Sequence, residues 1–165
     1  MFFTLFGSAW LAFGILAGYG MNPLAVLTVA FGTMLLFGAS VRQFLRNRDA
    51  HAAESDSPES KRAGRIFYSV NAVQWTLVLL VAILLSVLGH REWILPSIIL
   101  IIGVHFLPLA VAFRVSRHYC TGAAMIFLAV VYPFLSDAGP RSPLGCLGAG
   151  IILWASAFAA IVGPA

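Results

Sequence analysis

Within the apolar runs of this 165-residue chain, few side chains can do chemistry, and the clearest is His105. It stands in the stretch Gly103-Val-His-Phe-Leu-Pro-Leu-Ala110. An imidazole there can accept a proton, donate one or hold a ligand, and in lipid even a structural histidine needs a partner. Pro108, three residues on, has no N–H to give. It should release the carbonyl of Val104 and kink the helix beside the ring. Asn71 and Gln74 are spaced i,i+3 and share a helix face, with Trp75 alongside. Gln74 and His105 each lie about eight residues, or roughly 12 Å, from the charged end of their runs. Gln74 is therefore the expected partner of His105. The competing reading makes these amides interhelical glue, worth about 0.6–2 kcal/mol each.

Trp10, Trp75 and Trp154 lie at a comparable depth in three different runs. Each indole N–H must find an acceptor away from water. Together with Thr33 and Ser8 they predict a polar-aromatic layer around His105. That layer either lines a small-molecule pocket or packs the helices against one another.

Other chemistry is excluded by what the runs lack. No Asp, Glu, Lys or Arg falls inside any of them. Carboxylate proton relays, intramembrane aspartyl proteases and arginine voltage sensors all depend on such residues. Gly-x-Ser-x-Gly, Gly-x-x-x-x-Gly-Lys and His-Glu-x-x-His are absent. One histidine at membrane depth does not make a bis-histidine haem site. The expectation is a protein with no catalytic residues, no metal and no cofactor.

The elements that must position these residues follow from composition. Hydrophobic residues make up 61% of the chain and charged residues 10%, whereas soluble domains carry about 25% charge. The chain is too apolar for a water-facing globule, and an integral membrane protein is the reading that remains. The sixteen charges (ten Lys and Arg, six Asp and Glu) cluster in loops. Between them run six apolar segments close to the roughly 20 residues that cross about 30 Å of hydrocarbon. They are residues 2–18, 23–41, 66–88, 93–113, 119–135 and 143–162, an all-α fold of three in–out–in hairpins. The first lacks a basic leader and a small-x-small cleavage site, so it is read as structure and not as a signal peptide. Lys and Arg number six in the loop after the second span and two in the loop after the fourth. The opposite loops hold none, Arg91 and Arg141. The positive-inside rule then places both termini in the cytoplasm. The net charge of +4 needs no nucleic acid to explain it, since anionic headgroups suffice.

Residues 42–65 form the one long polar segment, read as a flexible cytoplasmic loop because it can bury little apolar area. Pro23, Pro96 and Pro143 open returning helices, hinting at a repeat. Cys120 and Cys146 fall at opposite ends and predict no mutual disulfide. Gly7, Gly14, Gly18, Gly145 and Gly148 predict close helix contacts, within the chain or in a homo-oligomer.

The Gly-x-His-Phe-x-Pro-Leu-Ala stretch, with Tyr119 and Gly122 after it, resembles a segment of small, functionally uncharacterised bacterial multispanning membrane proteins. The resemblance spans about residues 93–128. It implies a multi-pass protein of the bacterial inner membrane and assigns no activity. Two functions follow as expectations. One is binding or passing a small molecule at the His105 layer. The other is a non-transporting partner or stress-response component acting through residues 42–65.

Overall fold

The computed structural model describes residues 2–48 and 57–162, and among these the chain is helical with no strand. Six α-helices are present: α1 (Phe2–Tyr19), α2 (Pro23–Arg46), α3 (Pro58–Val87), α4 (Ile94–Phe113), α5 (Arg117–Val131) and α6 (Leu144–Val162). Five are long and apolar enough to cross a membrane: α1, α2, α3, α6, and α4 with the turn before it. The exception, α5, has 15 residues, or about 22 Å of helix. A 3₁₀ turn, Tyr132–Phe134, containing Pro133, continues it.

Local chemistry sets the helix ends. Asn22 caps α2, its Oδ1 accepting from the N–H groups of Leu24 (3.1 Å) and Ala25 (3.3 Å), with Pro23 in the first turn. Helix α3 begins eight residues before the apolar run 66–88, because Ser57 caps it, Pro58 opens it and Glu59 sits in its first turn. Likewise α2 runs through Arg46. Both ends of the segment read as a flexible loop are thus helical, while residues 49–56 lie outside the described part. The reason is that capping and propensity start a helix, whereas the apolar run marks only the part suited to lipid. Helix α3 ends in a Schellman closure, His90 N–H to Leu85 O at 2.8 Å, around Gly89 at φ +80°. The same closure ends α4 (Val115 N–H to Ala110 O, 3.1 Å), but there Arg114 takes the left-handed position at φ 53°. A side chain in that region carries some backbone strain.

The helices form two compact units, residues 1–55 with 146–165, and residues 56–145. In the first, α6 lays a face of Cys146, Ala149, Leu153 and Ala157 inward, and α1 meets it through glycine. A Cβ on Gly150 would stand 2.8 Å from the Gly7 carbonyl oxygen, and one on Gly14 would lie 3.0 Å from Cys146 Cβ. In the second unit, α4 packs between α3 and α5. Its core includes Ile99, Phe106, Leu109, Met125 and Ala129. Tyr132 is fully buried, donates to the Pro140 carbonyl at 3.2 Å and lies over Gly145. At the turns, Arg141 and Glu92 face each other at 3.9 Å.

An equally tight crossing joins α4 to α5. A Cβ on Gly103 would come within 2.9 Å of the Ile126 backbone nitrogen, and one on Gly122 within 2.8 Å of the Gly103 oxygen. Backbone cannot yield as a flexible side chain can, so a single methyl here forces the helices apart. Gly103→Ala or Gly122→Ala should each cost about 1–3 kcal/mol in reversible unfolding in detergent. Gly38→Ala, where a Cβ meets nothing within 4 Å, should be neutral or stabilise by up to about 1 kcal/mol.

Candidate functional site

The Gly103–Gly122 crossing fixes the part of α4 that carries His105. Phe106 also packs here, its Cβ 3.2 Å from a Cβ built on Gly122. Its ring centroid lies 4.5 Å from that of His105 and 5.9 Å from that of His118. His105 itself is 9% exposed. Its Nδ1 sits 2.8 Å from the carbonyl oxygen of Ile102, one turn back in the same helix. A carbonyl can only accept, so Nδ1 carries a proton, and when the ring is neutral Nε2 keeps a lone pair.

Gln74 is 8% exposed, and its Oε1 is buried without a hydrogen-bond partner. The bond expected between Gln74 Oε1 and His105 is not made, because the imidazole turns to a carbonyl already within reach on its own helix. By helical rise, the two residues are still nearly level. Gln74 is thirteen residues before the end of α3 and His105 eleven after the start of α4, so about 20 and 17 Å from the connecting turn. Asn71 is likewise turned inward to its own helix, donating from Nδ2 to the Phe67 carbonyl at 2.9 Å. Trp75 is 58% exposed, about 100° round α3 from the buried Gln74. Pro108 stands inside α4, where it withholds an N–H from the carbonyl of Val104.

The first unit holds a second polar cluster. Trp154 on α6 donates its indole N–H to Ser8 Oγ at 3.0 Å. Ser8 Oγ is 2.6 Å from Thr33 Oγ1 on α2 and 2.7 Å from the Thr4 carbonyl, and Thr33 Oγ1 is 2.6 Å from the Val29 carbonyl. Three oxygen pairs therefore share two hydroxyl protons. The chain of bonds can run from Ser8 to Thr33 or back, never filling all three pairs at once. Trp154 fits because its neighbours are glycine: Gly32 lies under the far edge of the ring and Gly7 beside Cδ1. Trp10 is half-buried on α1.

The residues expected to form one layer are shared between the two units. Ser8, Thr33 and Trp154 belong to the first unit and largely satisfy one another. Gln74 and His105 belong to the second and do not. Reading the sequence missed Thr4, which is fully buried with Oγ1 unpartnered. The signal was there in its i,i+4 spacing to Ser8 on the glycine-bearing face of α1. Among the described residues, no three of His, Cys, Asp and Glu gather as a metal would require. Both cysteines are free, Cys146 buried and Cys120 exposed. Comparison with known protein families, with curated proteins and with solved structures gives no match.

Removing the shared acceptor tests the first cluster. Ser8→Ala should cost about 1–2 kcal/mol in reversible unfolding. In a Trp154→Phe background, with no indole N–H left to strand, it should cost measurably less.

Proposed function

We propose that the chain is a multi-pass protein of the bacterial cytoplasmic membrane that binds or passes a small neutral molecule at the His105–Gln74 face of its second unit. The observation that carries this reading is the buried, unpartnered carbonyl oxygen of Gln74 on the helix packed along α4, level with a histidine that keeps its Nε2 lone pair. Leaving a buried acceptor unmet costs about 1–3 kcal/mol, a cost that a ligand supplying the donor relieves. Two acceptors and no charge define the ligand class: a small neutral hydrogen-bond donor such as an amide or an alcohol. Charged substrates are disfavoured, since no counter-charge lies in the runs.

Helix α5 counts as the sixth span in this reading. Its 3₁₀ continuation to Phe134 lengthens it to about 28 Å, near the thickness of the hydrocarbon. Six spans, with the Lys and Arg bias, put both termini in the cytoplasm. The bacterial membrane follows from the resemblance of the Gly103–Ala110 segment.

Gln74→Leu separates binding from glue. For a binding residue, the leucine variant should match or exceed wild-type stability in the absence of ligand. It should also lose the thermal shift that the best compound of a panel of small amides and alcohols gives wild type, as should His105→Ala. A Gln74→Leu variant destabilised by about 1–2 kcal/mol, with its ligand shifts unchanged, makes Gln74 structural and refutes the proposal.

A further inference from the structure

The first unit carries a groove that the hydroxyl cluster does not use. It runs along one stripe of α2 and has a volume of about 800 Å³, inside the range of roughly 300–1,000 Å³ usual for small-ligand sites. Its length follows from the stripe: Phe31 to Arg46 is fifteen residues, or about 22 Å of helix. Met34, Leu35 and Ile161 give the walls apolar character. Gly38 leaves the middle hollow, for a Cβ there would meet nothing within 4 Å. Gln43 closes one side by donating from Nε2 to the Ala160 carbonyl of α6 at 3.4 Å.

The groove is polar at one end only. Arg42 and Arg46 stand one turn apart on the lining stripe, and among the described residues no acidic one lines it. Both side chains are exposed, and neither forms an ion pair among the described residues. Two like charges at i,i+4 disfavour the helix that bears them unless an anion sits between them. They also fall where the uncharged run 23–41 ends, the level at which a helix leaves hydrocarbon for headgroups. An apolar trough about one leaflet or more in length, ending in two unpaired guanidiniums at that level, matches one occupant in both parts. Guanidiniums bind phosphate oxygens bidentately, and the trough takes a hydrocarbon tail.

We propose that this groove binds an anionic phospholipid, its phosphate between Arg42 and Arg46 and one acyl chain over Gly38 toward Met34 and Leu35. The site is independent of the His105–Gln74 face, so neither reading depends on the other.

The test uses the full-length protein in neutral detergent, titrated with dioctanoyl phosphatidylglycerol, dioctanoyl phosphatidylcholine or glycerol 3-phosphate. At a hundredfold excess over Kd, phosphatidylglycerol should raise Tm by about 5–10 °C, while the other two give little shift. Arg42→Gln with Arg46→Gln should lose most of that shift, and so should Gly38→Leu, which fills the hollow and leaves the charge in place. Arg62→Gln with Arg65→Gln should retain it. Equal shifts from phosphatidylcholine, full retention in either groove variant, or equal loss in the Arg62/Arg65 control would each overturn the proposal. A shift from glycerol 3-phosphate as large as from the lipid would identify a free phosphate ligand and overturn it too. If the double arginine variant does not fold, the Gly38→Leu titration alone decides.

Discussion

Away from water, a polar side chain must find its hydrogen-bond partner within the protein, and most of this structure is arranged around that constraint. The hydroxyls of Thr28, Ser40, Thr76 and Ser156 each fold back onto the carbonyl four residues earlier. Asn71 does the same with its amide. Trp154, Ser8 and Thr33 solve the problem across three helices. Against this background Gln74 Oε1, like Thr4 Oγ1, is left buried without a partner; the back-bond that Asn71 makes one turn earlier serves an amide N–H and is not open to a carbonyl oxygen.

Glycine decides where these side chains meet. The contact of Gly103 with Gly122 brings two helix backbones together two residues before His105, and so fixes the ring relative to α5. Gly7 and Gly32 do the equivalent for Trp154 by leaving room for an indole between helices. In an apolar setting, with no hydrophobic gain on helix association, such close approach and the polar contacts it permits are the main sources of specificity. The same residue type has the opposite effect at Gly38, where the missing side chain opens a trough along α2.

The sequence revealed helices more readily than partners. Uninterrupted apolar runs located every long helix, and Asn22-Pro23 marked the start of α2 on chemical grounds. The early start of α3 was equally readable in Ser57-Pro58-Glu59, but apolarity drew attention to residue 66 and masked it. Depth along a run placed Ser8, Thr33 and Trp154 in one layer with His105, and did not single out the hydrogen bonds that these three make with one another. Depth also leaves out rotation about the helix axis, which is why Trp75 was grouped with Gln74 although it lies about 100° round α3 from it. The turn of His105 to the Ile102 carbonyl was likewise invisible, because an i−3 contact competes with every cross-helix partner and only rotamers decide it.

In the proposed site His105 is a neutral ring whose Nδ1 proton is committed to its own helix, leaving Nε2 to accept from a ligand. Nitrogen NMR of the protein labelled at histidine, with His105 assigned by its loss in His105→Ala, reads this directly. The account predicts a protonated Nδ1 and a bare, pyridine-like Nε2, with Nε2 shifting when a binding amide or alcohol is added. A proton found on Nε2, or an Nε2 signal indifferent to every such compound, would contradict it.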